Sequence, residues 1–465
     1  MLLTLSLYGC PLIQIESVSE EAVLSDPLRR ILEIMASHGA TRFYAKRLAP
    51  NDNSKNQVYL GGGFGALNII PHGSIADDTS EMAGSVRDRA KAPVDFYWIM
   101  EGELSPAPNA QLILYPKYPE VRMSGFLLGA RNAPGKLMTS RDEGRVMFFG
   151  ICPDRRVLCE VVSKGHPAVL LLDELSETLD QTGVFIDLAP IRLGGEDPRE
   201  TLLAALKAIH QKGWISSRKI GRSGLPEPYS ARNGGGYTLE AELGVSPNSY
   251  AEPDFLGWEV KQYGVNNFDT YRAKSPVTLM TPEPTGGYYR EQGVEAFLRK
   301  YGYADKSGKA DRINFGGVYS TQRSFHNDTG LALKLVGFDI KSGKVTDLNG
   351  CICLVDRDDN IAASWGFGGV MEHWNRKHAK AAYVPSLMQY PPPEYRFGPL
   401  VQLCEETDVL LLLAAFAAGN AYYDPGIKME GVGSLRPKIK RRSQFRVKHT
   451  ELKQLYLRHT NEVLE

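Results

Sequence analysis

Apolar positions follow two different rhythms along this chain. From about Ala40 to Leu188 they come in short runs: RFYAKRL, QVYLGG, VDFYWIM, AQLILYP, RVMFFGIC, RVLCEVV and AVLLL, with Gly, Pro, Asn and Asp between them. Many short apolar runs punctuated by turn residues predict an all-β barrel or sandwich. One helix is predicted ahead of them, over DPLRRILEIMASHG, where Asp26 caps, Pro27 takes the first helical position and Gly39 ends the helix. The rhythm changes at EDPRETLLAALKAIHQKG. There Asp197 caps, Pro198 starts, Leu202, Leu203, Leu206 and Ile209 form an apolar stripe, and Gly213 terminates. A polar, glycine-rich loop (RSGLPEPYSARNGGG) and a short helix (YTLEAELG) follow, and beyond them strands and helices alternate, which predicts an α/β core. The change of rhythm puts a domain boundary near Gly194-Gly195, dividing the chain into 1–193 and 194–465.

Composition agrees with two globular units. A chain of 465 residues exceeds one ordinary core, and 43% apolar with 23% charged residues is a globular balance. Net charge is zero, so a nucleic-acid surface has to come from local clustering. Six widely spaced cysteines form neither a disulfide framework nor a zinc-binding spacing, which fits a reducing bacterial cytoplasm. Cys351 and Cys353 alternate in a strand-like run and read as small buried or half-buried thiols. The apolar run VLLLLAAFAAG, from Val409, is too short to span a bilayer and reads as a core helix. MLLTLSLYGCPL lacks the basic segment of a signal peptide, and the expectation is a protein without membrane contact.

The candidate chemistry lies in YAEPDFLGWEVKQYG, which places Glu252, Asp254, Glu259 and Lys261 among Phe255, Leu256, Trp258 and Val260. Charges are costly to bury unless paired or bound to a metal. In a strand Glu259 and Lys261 share one face while Trp258 and Val260 pack on the other. Asp254 lies an odd number of residues from Glu259, so a bend or bulge is needed to bring it to the same face, and Gly257 can supply it. Two readings stand open on these residues alone: an exposed strand with a structural salt bridge, or carboxylates that hold a cation beside a working lysine. The second has a clear logic. Carboxylate oxygens suit Mg²⁺, which keeps several waters and takes further ligands from a phosphate. Asp254, Glu259 and the carbonyl of Val260 would be its ligands, and Lys261 would orient or deprotonate water. Glu451-Leu452-Lys453 repeats the Glu-x-Lys spacing, but its helical pattern makes it a solvated face.

Three further features stand out along the chain. Gly61 to Ala66 satisfies G-x-G-x-x-A, yet Pro71 follows too soon for the required helix, so it reads as a hairpin or barrel turn. His373 and His378 are five apart, not the four a helical metal pair needs, and read as surface or core histidines. The basic stretch GSLRPKIKRRSQFRVKH gathers Arg436, Lys438, Lys440, Arg441, Arg442, Arg446 and Lys448. As a strand it would present Arg442, Gln444 and Arg446 on one face, suited to base edges, with the other cations on phosphates.

PDFLGWEVK resembles the PD-(D/E)xK nuclease signature, and RNGGGYTLEAELGV before it is similar to the glycine-rich turn and helix of the MvaI/BcnI restriction endonucleases and the MutH-related nicking enzymes. The resemblance implies a helix glutamate completing the site, here Glu240 with Glu242 as the fallback. FYAKRLAPNDNSKNQVYL resembles the start of EcoRII-type amino-terminal effector domains, pseudobarrels of the plant B-three kind. That resemblance implies one DNA-gripping arm at Lys46, Arg47, Asn51, Asp52, Lys55 and Gln57. It implies a second arm at Arg131, Asn132, Lys136 and Arg141. Together the resemblances imply a pseudobarrel DNA-binding domain joined to an α/β nuclease. The function they imply is a monomeric, Mg²⁺-dependent Type II restriction endonuclease, with CC(A/T)GG as the expected site. The first domain would bind a second copy of the site, and a separate methyltransferase would protect the host. The alternatives are a MutH-like repair nickase, or a non-catalytic sequence-specific DNA-binding regulator.

Overall fold

A computed structural model gives the fold and describes residues 26–464, apart from 51–56, 79–80, 83–84, 87–88, 193–196, 222, 246–252 and 348. The expected boundary at Gly194-Gly195, the arm residues Asn51, Asp52 and Lys55, and Glu252 lie outside the described residues.

The amino-terminal region is largely strands in several sheets. Helix α1 (Pro27–Ser37) begins as predicted, with the Asp26 carboxylate accepting from the amides of Leu28 and Arg29. Strands β1 (Arg42–Arg47), β2 (Gln57–Gly62), β3 (Phe96–Met100), β4 (Gln111–Tyr115), β5 (Glu120–Ser124), β6 (Val146–Ile151) and β7 (Val157–Val162) fall on the predicted runs, apart from β5, which the apolar pattern did not mark. They are distributed over a seven-stranded sheet containing β1, β6, β7 and β3, and a five-stranded sheet containing β2, β5 and β4. Both are open paths, and no closed barrel forms among the described residues. The residues facing between the sheets, such as Trp98, Phe149, Cys159, Leu112 and Met123, share one buried cluster.

One predicted strand is a helix. AVLLL lies within α2 (Pro167–Leu175), capped by His166, whose ring Nδ1 accepts from the Ala168 amide. Pro167 at the first helical position favours that start. Ala168, Val169 and Leu172 then face α1 and the outer side of the seven-stranded sheet.

The second region is a mixed sheet between helices. Helix α3 (Pro198–Gln211) is capped by Asp197 and buries Leu202, Leu206 and Ile209. Helix α4 (Gly235–Glu242) leads to β8 (Glu259–Gly264). Helix α5 (Phe367–His378) runs straight into β9 (Lys380–Gln389), which pairs in parallel with β8, Glu259 opposite Ala381 and Lys261 opposite Tyr383. Strands β10 (Glu394–Phe397), β11 (Leu400–Glu405) and β12 (Arg458–Val463) extend the sheet antiparallel. Trp258, Val260, Ala382, Val384 and Leu403 pack with α3 on one face, whereas Ala381, Tyr383 and Cys404 join Trp374 and Tyr456 on the other. Each fully buried Leu in such a layer stabilises by about 1.5–3 kcal/mol. Helix α6 (Val409–Ala417) is the expected core helix, and no described helix is long and apolar enough to cross a membrane.

The glycine stretch after β2 is one of the places where the two regions meet. The Phe64 amide donates to the Asp408 carboxylate at 3.4 Å. Asn68 Nδ2 donates to the Thr407 carbonyl at 2.7 Å, and Asn375 Nδ2 to the Phe64 carbonyl at 3.2 Å. Gly63 has φ +68°, and a Cβ there would lie 2.7 Å from Asp408 Oδ2. Gly63 therefore allows close approach between backbone and side chain, and the stretch continues into a short 3-10 turn (Gly65–Asn68) in place of the helix a dinucleotide fingerprint needs.

Candidate active site

Asp254 is turned toward Glu259 by a tight bend at Leu256-Gly257, one of the two devices expected there, and not by a bulge. Phe255 and Trp258 exchange two backbone hydrogen bonds, of 2.9 and 2.8 Å, across a two-residue turn. Leu256 (φ +46°) and Gly257 (φ +86°) are both left-handed, the signature of the tight hairpin turn whose twist matches its strands. Continuing that pairing by one residue sets Asp254 opposite Glu259, and directly opposed residues point to the same side of a ladder. The odd separation, which a straight strand would forbid, is what a two-residue hairpin requires. Asp254 Oδ2 accepts the Val260 amide at 3.0 Å, which fixes the carboxyl against β8.

Alternation along β8 does the rest. Trp258 and Val260 enter the core, while Glu259, only 1% exposed, turns to the other face. Its Oε1 lies 2.5 Å from Lys261 Nζ and 3.6 Å from Lys377 Nζ, and its buried Oε2 has no hydrogen-bond partner among the described residues. Lys377 comes from the last turn of α5. Nothing in the linear motif points to it; the helix-to-strand passage from α5 into β9 brings it beside β8.

Glu240 on α4 joins this group electrostatically. Burial pushes its pKa up to about 7, with the charges of Asp254 and Glu259 adding to the rise and Lys261 and Lys377 opposing it. Asp254 is pushed up to about 6 by burial, then by Glu259, against the Val260 amide and the two lysines. Glu242, the other helix glutamate, is instead paired with Lys212 at 2.7 Å and with Arg218. Of the two, Glu240 is the one that shares a field with Asp254 and Glu259.

Such a group has an unmet demand for positive charge. Mutually raised carboxyl pKa values and a buried carboxylate oxygen without a partner are what a hard divalent cation relieves. Among the described residues no three His, Cys, Asp or Glu side chains already form a coordination cluster. The donor set fits an ion that takes few protein ligands and keeps its waters. His378 is fully buried, stacked on Trp374 with ring centroids 4.1 Å apart, and within 3.1 Å of the Leu279 carbonyl through Nε2. Burial, reinforced by Lys261, His373 and Lys377, drives its pKa well down, so it is the neutral core histidine expected.

The candidate DNA-contacting residues are scattered. Arg131, Asn132, Lys136 and Arg141 are exposed between β5 and β6. Lys46 is not available in the way expected: it is buried and donates to the Arg47 carbonyl at 2.9 Å. Arg47 pairs with Asp173 at 2.5 Å, and Gln57 accepts from Arg122. The basic stretch is not one strand but two short ones, Lys438–Lys440 and Phe445–Val447, in different sheets. The expected shared face of Arg442, Gln444 and Arg446 is therefore absent. Gln444 is buried, and Arg446 donates to Asp424 at 2.7 Å and to the Pro276 carbonyl. Lys438, Arg441 and Arg442 stay exposed.

Comparison with known proteins fixes the class. The model of the MvaI/BcnI restriction endonuclease family matches residues 203–456, a span that includes Glu240, the hairpin, β8 and α5. The chain is thus a site-specific deoxyribonuclease, of the Type II restriction kind. It belongs to the MvaI/BcnI restriction endonuclease family. Two similar solved structures are restriction endonuclease MvaI bound to its cognate DNA substrate (19% identity, TM-score 0.42, 58% of this chain and 99% of that one) and MvaI in the absence of DNA (18%, 0.32, 58% and 98%). No curated protein matches the chain.

Proposed function

We propose that this chain cuts both strands of duplex DNA at a short specific site by Mg²⁺-dependent hydrolysis. The observation that carries the reading is the buried Glu259 carboxylate, paired with Lys261 and lying in the electrostatic field of Asp254 and Glu240, whose second oxygen has no partner among the described residues. Asp254 and Glu259, with the Val260 carbonyl, would hold the ion, and Glu240 would complete the site. When bound, Mg²⁺ supplies an acidified water and polarises the phosphodiester. Lys261 orients the attacking water and offsets charge in the transition state. The Val260 amide holds Asp254 in place through the reaction.

The amino-terminal region, taken as residues 1–193 against a nuclease of 194–465, would be a pseudobarrel of the EcoRII effector kind. It would hold a second copy of the site and raise the local concentration of DNA at the nuclease. Exposed Arg131, Asn132, Lys136 and Arg141 support one arm; Arg47, Asn51, Asp52, Lys55 and Gln57 would form the other. Lys438, Arg441 and Arg442 would contact DNA from the nuclease side. The arrangement resembles UbaLAI, a two-domain restriction enzyme. The expected site is CC(A/T)GG, the enzyme would act as a monomer, and a separate methyltransferase would protect the same site.

The test is digestion of a plasmid with mapped CC(A/T)GG and CC(C/G)GG sites, with Mg²⁺ or EDTA, by wild type and Lys261→Ala. Discrete Mg²⁺-dependent fragments lost in the variant support the reading, and their ends define the site. Nicked circles without linear product point to a MutH-like nickase. Retarded but intact plasmid points to a binding regulator.

A further inference from the structure

Two ammonium groups stand within ion-pair range of Glu259, which lies in the electrostatic field of Asp254 and Glu240, and only one of those ammoniums belongs to the Glu-x-Lys spacing. We propose that Lys377 is a second catalytic lysine, whose ammonium binds a non-bridging oxygen of the scissile phosphodiester and stabilises the charge that grows there. The inference rests on the nuclease reading above and adds a residue that the sequence motif does not contain.

Geometry is the first support. Lys261 is the close partner of Glu259 Oε1 at 2.5 Å, and one ammonium suffices to neutralise one buried carboxylate. Lys377 stands at 3.6 Å from the same oxygen, within ion-pair range but beyond a hydrogen bond. It is held in the field of the site without being locked to it. Its side chain is 26% exposed while that of Glu259 is 2% exposed, so Lys377 keeps part of its surface open beside a buried carboxylate.

The base of Lys377 is rigid. The neighbouring His378 is stacked on Trp374 and tied to Leu279, and Asn375 donates to Phe64. A lysine in the last turn of a helix is favoured by the helix dipole, which accounts for its residue type. It does not account for its reach to Glu259 on a separate strand.

Charge is the second support. The carboxylates Glu240, Asp254 and Glu259 outnumber the lysines by one when all are ionised. A bound divalent cation reverses that surplus, and the single charge of a phosphodiester restores balance. During hydrolysis the oxygen of water bonds to phosphorus, the bond to the leaving sugar oxygen breaks, that oxygen takes up a proton, and the water gives one up. As the new bond forms, negative charge builds on the non-bridging oxygens, where a pre-placed ammonium is worth more than in the ground state. Lys377 keeps all its protons and forms no covalent bond.

The experiment uses full-length protein and a short duplex carrying the site mapped by plasmid digestion. Lys377→Met keeps the aliphatic stem and removes the charge; Lys377→Arg keeps the charge. Single-turnover cleavage at saturating Mg²⁺ should fall about 100-fold in Lys377→Met, with recovery of at least part of that loss in Lys377→Arg. Duplex affinity in Ca²⁺ should change less than about threefold and the melting temperature should hold. One of the two phosphorothioate diastereomers at the scissile phosphate should slow wild type but not Lys377→Met further. Cleavage by Lys377→Met within twofold of wild type overturns the proposal. So does a loss matched by equally weakened affinity or lowered melting temperature, or by full thio sensitivity in the variant. Failure of wild type itself to cut with Mg²⁺ instead overturns the nuclease reading on which the proposal rests.

Discussion

Glu242 and Glu259 are both glutamates with almost no exposed surface, and each meets two cations. Glu242 faces Lys212 and Arg218, which are 53% and 38% exposed and outnumber it. Glu259 faces Lys261 and Lys377 alongside Asp254 and Glu240, both with pKa values pushed up. A buried ion pair is thus no sign of a reaction centre. What sets one cluster apart is a surplus of carboxylate that its own cations do not cancel, which is a demand for an added positive ion.

That contrast can be broken by substitution. The largest effect should come from Glu259→Gln, which lowers the single-turnover rate by at least about 10²–10³-fold, while Glu242→Gln leaves it within a few-fold. Rapid-quench cleavage of the same duplex checks both. The order should reverse in stability when cations are removed. Lys212→Met combined with Arg218→Met leaves Glu242 buried and unpaired and should cost about 3 kcal/mol in urea unfolding. Glu240→Gln should slow cleavage yet raise the melting temperature of the metal-free protein, because it removes a carboxyl that burial and its neighbours oppose.

The same surplus sets a pH dependence. Glu240 and Asp254 have folded pKa values of about 7 and about 6, above their ordinary 4.5 and 3.8. A carboxyl raised on folding binds its proton more tightly in the native state, so its stabilising contribution is present below the unfolded value and lost as pH rises through the folded one. In EDTA this cluster should cost stability between about pH 4 and pH 7. The rise in melting temperature on adding Mg²⁺ should be larger at pH 8 than at pH 5.5, and smaller in Glu240→Gln. Scanning calorimetry at both pH values decides it. The smallest effect should be Gly257→Ala. Its surroundings are open but its φ is +86°, so it should cost about 1 kcal/mol.

Local rules made much of the molecule legible. Asp26-Pro27 and Asp197-Pro198 start helices where capping chemistry places them, and alternation puts Glu259 and Lys261 on one face. Ala168 to Leu172 was misread because a short apolar run has no period of its own; the His166 cap and Pro167 decide it. Gly257 marked a bend, but the paired left-handed turn needs Leu256 to adopt a conformation its type disfavours, and only strand pairing imposes that. Lys377 was illegible because topology, not spacing, brings α5 to β8. Phe445 and Val447 are buried on either side of Arg446 as in a strand, but that strand spans only three residues, and Gln444 falls inside the core beside it, so the expected face of Arg442, Gln444 and Arg446 does not form.

The hairpin at Leu256-Gly257 also changes what the interval between Asp254 and Glu259 means. These residues are brought together by the single bridge between Phe255 and Trp258, and hairpin loops of three, four or five residues also occur between paired positions. The count between the acid and the Glu-x-Lys is therefore a loop length that can drift, not a chemical constant. A pattern search with rigid spacing would pass over enzymes built on the same pairing with a longer tip.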